Sequence, residues 1–180
     1  MSLEQKYKNE ILQSLKEELQ VSNIMDVPKV EKVVVNMGIG SYIRAWNKDY
    51  SSLQRDLSLI TGQAPVVRYA SKSISNFKLR EWMPVGLTVT LRWENMYNFL
   101  EKVIDVVLPR VRDFRWISRK SFDKAGNFNF WVTEHTIFPE VPQDDVVKPH
   151  GIQITVKTTA TNPDAGRALL QKMEFPFVKK

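Results

Sequence analysis

The chain contains no cysteine. Disulfides, thiolate metal sites, iron–sulfur clusters and cysteine nucleophiles are therefore excluded, and a cytoplasmic address is the simplest expectation. It also lacks any run of about 18 apolar residues, so no membrane-spanning helix is expected. Met1-Ser2-Leu3-Glu4-Gln5-Lys6 opens an amphipathic pattern instead of the short apolar stretch of a secretory signal. Histidine is scarce. His135 and His150 are the only two, and neither has a ligand-type neighbour at metal-binding spacing, so both are expected as surface or loop residues. Gly38-Ile39-Gly40 has no third glycine at dinucleotide-fingerprint spacing, and neither a Walker motif nor a nucleophile elbow occurs. Asp123-Lys124-Ala125-Gly126-Asn127 lacks the acidic ladder and closing glutamate of a calcium loop, and Asp144-Asp145 reads as a solvated turn. No metal, no cofactor and no enzymatic activity are expected.

What is present is basic charge in two concentrations. The 180 residues carry a net charge of +6, with a pI near 9.5, which favours a polyanionic partner. Between Val66 and Arg92, five cations (Arg68, Lys72, Lys78, Arg80, Arg92) stand against Glu81 alone. Between Arg110 and Lys124, six cations (Arg110, Arg112, Arg115, Arg119, Lys120, Lys124) stand against Asp113 and Asp123. A composition 43% hydrophobic and 26% charged suits a globular chain long enough to bury a core. We read one domain over residues 1–180, with an N-terminal helix at 3–20 and basic loops at 71–84 and 110–127 as extensions.

Leu3, Tyr7, Ile11, Leu15 and Leu19 recur every four positions and predict a helix with Ser2 as its cap. Val30 to Met37 is a β-branched run bounded by Pro28 and Gly38, hence a strand. A second helix is expected over Lys48–Thr61, with Tyr50, Leu53, Leu57 and Ile60 inward and Gly62 as its stop. Pro65–Ala70 reads as a short strand, Ser71–Pro84 as a long irregular loop, and Val85–Arg92 as a cleanly alternating strand. A helix from Glu94 should end near Pro109. Strands follow at Asn127–Thr133 and Ile152–Thr158, then a helix opened by Asn162, Pro163 and Asp164. Phe99 and Tyr97 are expected in or at the edge of the core, and Phe128 and Phe130 against a helix in preference to a base.

These elements predict an α+β fold, an antiparallel or mixed sheet with helices on one face and the other face open. The open face would carry Lys32 and Asn36 from the first strand. Thr88, Thr90 and Arg92 come from another, and Gln153, Thr155 and Lys157 from a third. Short hydrogen-bonding side chains among cations suit phosphates, 2′-hydroxyls and base edges. A merely solvated sheet face is the competing reading.

Several ordered segments then point to a family. Val27-Pro28-Lys29-Val30-Glu31-Lys32-Val33-Val34-Val35-Asn36-Met37-Gly38 and Leu59-Ile60-Thr61-Gly62-Gln63-Ala64-Pro65-Val66 resemble the first two motifs of the bacterial-type large-subunit ribosomal L-five family. Phe77-Lys78-Leu79-Arg80-Glu81, Met83-Pro84-Val85-Gly86, Leu108-Pro109-Arg110-Val111-Arg112-Asp113-Phe114-Arg115, Lys120-Ser121-Phe122-Asp123 and Ile137-Phe138-Pro139-Glu140 continue the likeness in order, from about Lys6 to Phe177. The resemblance implies a structural protein that binds 5S rRNA through the open sheet face at the central protuberance. The rRNA face would comprise Lys32, Asn36, Gln63, Arg68, Thr90, Arg92 and Thr155. It further implies that a loop holding Lys72, Ser73, Asn76, Lys78 and Arg80 reaches P-site tRNA. Arg110, Arg112, Arg115, Arg119 and Lys120 would meet large-subunit rRNA or, across the subunit bridge, a small-subunit head protein. Other 5S-binding ribosomal proteins are implied neighbours, and no membrane is. The alternatives are another sheet-platform RNA-binding protein, such as an assembly factor, and a nucleic-acid enzyme. The former would lack the ordered motifs. The latter needs clustered acids or a His/Glu pair that the scattered acids here do not supply.

The chain departs from the pattern in places. Arg68 and Ser71 stand where the family usually has threonine and lysine. Trp82, Trp93, Trp116 and Trp131 stand where it usually has glycine, with Trp46 as a candidate fifth. Exchanging the smallest residue for the largest at four sites is implausible as drift. A genome that reads UGA as glycine, translated with a table that reads it as tryptophan, would produce this pattern. The tryptophans should then lie exposed, strained or in loops.

Overall fold

The computed structural model describes residues 2–45, 49–111, 121–142 and 149–177. Trp46, Trp116, Arg112, Arg115, Arg119, Lys120, Asp144 and Asp145 lie outside the described residues. The strands are β1 (Val30–Gly38), β2 (Val66–Tyr69), β3 (Pro84–Leu91), β4 (Phe128–Val132) and β5 (Ile152–Thr158). They form a five-stranded antiparallel sheet in the order β2-β3-β1-β5-β4. The expected α+β class is what is found.

The chain forms two compact units. The first comprises Met1–Val33, Leu91–Phe130 and Ile154–Lys180, the second Val34–Thr90 and Trp131–Gln153.

In the first unit, helix α1 (Leu3–Lys6) passes through a π turn at Tyr7–Ile11 into α2 (Leu12–Glu18). Ser2 is its cap as expected: its hydroxyl accepts from the Gln5 N–H at 3.4 Å while Gln5 reaches back to the Ser2 N–H. The helix stops at Glu18, two residues before the expected end, because Gln20 turns left-handed at φ 52°. Tyr7 donates to the Pro28 carbonyl at 3.1 Å and lies beside Tyr97, whose hydroxyl pKa is pushed up by burial to about 12. Helix α5 (Trp93–Lys102) continues through a π turn at Val103–Val107 into α6 (Leu108–Arg110). The helix therefore ends at Arg110, near Pro109 as expected. Pro109 sits in the first turn of the new α segment, where its missing N–H costs least, and Val111 then leaves helical space at ψ 122°.

Helix α7 (Pro163–Lys172) begins where expected, although the Asn162 side chain makes no capping hydrogen bond. Instead α7 is set by backbone proximity. A Cβ at Gly166 would collide with the Gly126 carbonyl oxygen, and a Cβ at Gly126 (φ 76°) would lie 2.7 Å from the Asn162 carbonyl. Phe128 is wholly buried, edge-on to Phe175 and Phe177 and stacked on half-buried Phe130, so its ring belongs to the core.

In the second unit, α3 (Gly40–Arg44) follows β1, and α4 (Ser51–Thr61) buries Leu53, Leu57 and Ile60. Helix α4 starts at Ser51, later than the expected Lys48. Asp49 accepts from the Ser51 N–H at 2.9 Å, which satisfies an opening donor and leaves Tyr50 half-buried outside the helix. The stop at Gly62 is as expected, left-handed at φ 67°.

The histidines correct the sequence expectation. Neither is at the surface: His135 is 0% and His150 6% exposed. The His150 N–H donates to His135 Nδ1 at 3.0 Å, so the neutral ring carries its proton on Nε2, 3.4 Å from Asp56 Oδ2. The buried ring is held by the His150 N–H on Nδ1, while Nε2 makes no hydrogen bond among the described residues and faces the Asp56 carboxylate of α4.

Candidate nucleic-acid interface

Strand alternation builds the site. On β3, Leu87, Val89 and Leu91 are buried while Gly86, Thr88 and Thr90 are half-exposed. On β5, Ile152, Ile154 and Val156 are buried while Gln153, Thr155 and Lys157 are half-exposed. One face is thus covered and the other polar and accessible.

The second unit carries one patch. The β2–β3 register pairs Val67 with buried Leu87 and Arg68 with Gly86, which puts Arg68 on the open side with Thr88. Thr88 donates its hydroxyl to Asn36 Oδ1 at 2.6 Å. With its carbonyl engaged, Asn36 presents amide N–H donors to a ligand. A Cβ at Gly86 would meet only the Met37 carbonyl at 3.5 Å, so glycine there leaves bare backbone beside Arg68. Thr90 lies on the same face. Gln63 does not stand on a strand. It is exposed in the corner between Gly62 and β2, its carbonyl accepting from the Thr61 hydroxyl at 3.0 Å.

The first unit repeats the device. Thr155 on β5 donates to Asn129 Oδ1 on neighbouring β4 at 2.5 Å, again turning an asparagine amide outward. Asn129 was missed in the sequence, though its alternation with Phe128 and Phe130 places it opposite the buried rings. Lys157 holds Glu31 at 2.9 Å, and neither Glu31 nor Lys32 is buried, so the inside–outside alternation of β1 breaks there. The Lys157 hydrogen bond, with the charges of Lys157, Lys32 and Arg92, holds the Glu31 carboxyl below its usual range. Arg92 is exposed immediately after β3. Three cations thus surround one acid.

Residues 71–83, expected as an irregular loop, extend the β2–β3 hairpin. Ala70 accepts from the Trp82 N–H at 3.0 Å and donates to the Met83 carbonyl at 2.8 Å. Ile74 and Leu79 form an antiparallel bridge around a 3₁₀ turn at Ser75–Phe77, and Arg44 Nη1 donates to the Phe77 carbonyl at 3.1 Å. The Ser73 hydroxyl accepts from the Glu81 N–H at 2.9 Å. Backbone pairing, invisible in composition, makes the segment regular. Lys72, Ser73, Asn76, Lys78 and Arg80 are all exposed on it. So are Ile74 and Phe77, which the sequence reading did not single out. Their signal was an apolar pair without helical or strand period among cations.

Arg110 is exposed at the end of α6. The calcium-like loop is closed on itself: Asp123 accepts from the Ala125 N–H, the Asn127 N–H and the Asn127 side chain at 2.8–3.0 Å. Those bonds hold its carboxyl below the usual range. Among the described residues no three His, Asp or Glu side chains are grouped to hold a metal ion, and no helix is long and apolar enough to cross a membrane.

Two family models match the chain: "Ribosomal protein L5" over residues 23–80, and the C-terminus of the same ribosomal family over residues 84–177. The large ribosomal subunit protein uL5 of Corynebacterium kroppenstedtii is 48% identical over 177 residues, covering 98% of this chain and 96% of the relative. That of Corynebacterium diphtheriae is 49% identical over 177 residues, covering 98% and 94%. That of Thermosipho africanus is 50% identical over 176 residues, covering 97% and 96%.

Proposed function

Because the chain belongs to the ribosomal protein L5 family, we propose that its two open-face patches bind 5S rRNA at the central protuberance of the large subunit. The chain is a structural, RNA-binding constituent of the large ribosomal subunit in the cytoplasm, and not an enzyme. The observation that carries the 5S reading is the repeated threonine–asparagine pair, Thr88–Asn36 and Thr155–Asn129, each beside cations. An oriented amide reads acceptors on sugar and base edges, while Arg68, Lys32 and Arg92 answer phosphate.

The 71–83 hairpin tip supports contact with P-site tRNA. Exposed Phe77 and Ile74 among Lys72, Lys78 and Arg80 combine a stacking surface with phosphate-seeking charge. Large-subunit rRNA or a small-subunit head protein is the proposed partner of Arg110 and of Arg112, Arg115, Arg119 and Lys120.

The test is binding of the purified chain to 5S rRNA across a salt series, beside a control RNA of equal length. The expected result is 5S binding that outlasts the control as salt rises. Equal binding to both, vanishing together with salt, removes the specific reading.

A further inference from the structure

We infer that positions 82 and 93 are glycine in the protein its own cell makes, their codons being UGA read there as glycine. The backbone carries the inference. Trp82 has φ 63° and Trp93 φ 54°, the left-handed region that L side chains rarely adopt and glycine enters freely. Three other non-glycine residues share it, Gln20, Lys78 and Glu174. Each of those closes a helical turn, where a left-handed residue is the ordinary stop. Trp82 lies in the turn before β3, and Trp93 is the first residue of α5. Helix termination accounts for neither.

Burial does not account for them either. Tryptophan is highly buried on average, yet these side chains are 74% and 81% exposed. An indole displayed to stack on a base would be equally exposed at negative φ, so display does not explain the left-handed backbone. At position 82 that backbone is tied down, since its N–H donates to the Ala70 carbonyl and closes the hairpin extension.

Composition agrees. Seven glycines in 180 residues is little more than half the usual share of roughly 7%. Five tryptophans, if read as glycine, would bring the count to twelve. Trp131 is 60% exposed, with its ring lying over Gly151, and its backbone alone does not identify it. Trp46 and Trp116 lie outside the described residues. One reassigned codon would settle all three together.

The two sites bracket β3, which carries Thr88 and Thr90 and ends beside Arg92. An indole at position 93 adds bulk next to a proposed phosphate contact, and glycine would leave it clear.

The experiment has two readouts. The first reads the gene at codons 82 and 93, with the masses of the corresponding peptides from native ribosomes. We expect UGA at both, and peptides lighter by the tryptophan–glycine difference. A UGG codon, or a peptide with tryptophan mass, at either position overturns the inference. The second measures thermal unfolding of the recombinant chain against Trp82→Gly and Trp93→Gly. Relief of the left-handed backbone is expected to raise Tm by roughly 2–4 °C per site. An unchanged or lower Tm in both variants refutes the claim that these sites are built for glycine.

Discussion

Thr155 holds Asn129 by its carbonyl, donating to Oδ1 at 2.5 Å, so the asparagine's amide hydrogens are what remains for a ligand. Thr155→Val keeps the shape and removes the donor, freeing the amide to rotate. A hydrogen bond of this kind contributes about 1 kcal/mol, or roughly five-fold in affinity. The dissociation constant for 5S rRNA should rise by about that factor while the control RNA is unaffected. An unchanged 5S affinity takes the pair out of the interface.

Glu31 pairs with Lys157 at 2.9 Å, so on the proposed interface it would compete with phosphate for that cation. Glu31→Gln releases that cation and should strengthen binding to any RNA at low salt. It should also steepen the slope of log affinity against log salt by about one counterion. Arg68→Ala and Arg92→Ala should each make the slope shallower by about the same amount. Parallel titrations of the variants would decide. A slope unmoved by all three removes these residues from phosphate contact.

Gly166 faces the Gly126 carbonyl with no room for a Cβ. Gly166→Ala must push α7 off the Gly126 turn, and overpacking of this kind costs about 1–3 kcal/mol. Urea denaturation should show a lower midpoint at unchanged slope. Gly86→Ala, which meets only ordinary contact, should leave the midpoint near its original value.

Burial pushes the His135 pKa below its ordinary value, against the opposing pull of Asp56. The folded state therefore binds this proton less readily than the unfolded chain, whose histidine titrates near 6.5. The contribution of neutral His135 is fully present above about pH 6.5 and is lost as pH falls through the lower folded value. The urea midpoint should fall between about pH 7.5 and about pH 5.5, and His135→Asn, which keeps an acceptor for the His150 N–H, should flatten that fall. Parallel pH profiles for the variant and the parent chain would disprove the assignment.

Phe77 is 59% exposed at the hairpin tip, so Phe77→Ala should leave thermal unfolding nearly unchanged. Ribosomes assembled with it should nevertheless hold P-site tRNA less tightly, as a peptidyl-site filter-binding assay would show. Full retention of tRNA affinity would rule out a stacking role.

Much of the fold was legible along the chain because its signals are local. Ser2 and Gly62 announced a helix start and stop through the backbone groups they satisfy. Val85–Leu91 and Ile152–Thr158 displayed their faces by strict alternation, and Thr90, Arg92 and Thr155 followed from that period. Ser51 escaped because Asp49, not the apolar stripe, decides where α4 begins. The π turn at Val103–Val107 escaped because nothing in the residue pattern announces it.

The sequence by itself pointed to a polyanionic partner, the α+β class and the wet sides of β3 and β5. All of these follow from charge and from periods of two and near four. Tertiary structure decided which side chains meet. It paired Thr155 with Asn129 and Thr88 with Asn36, neighbours only through strand order. It buried His135 beside Asp56 of α4 and His150 beside His135 and Tyr42, and it closed the 71–83 segment into a hairpin by backbone bonds that any composition could make. Contacts between residues 15, 26 and 52 positions apart have no local signature, because they depend on how strands are ordered and loops docked.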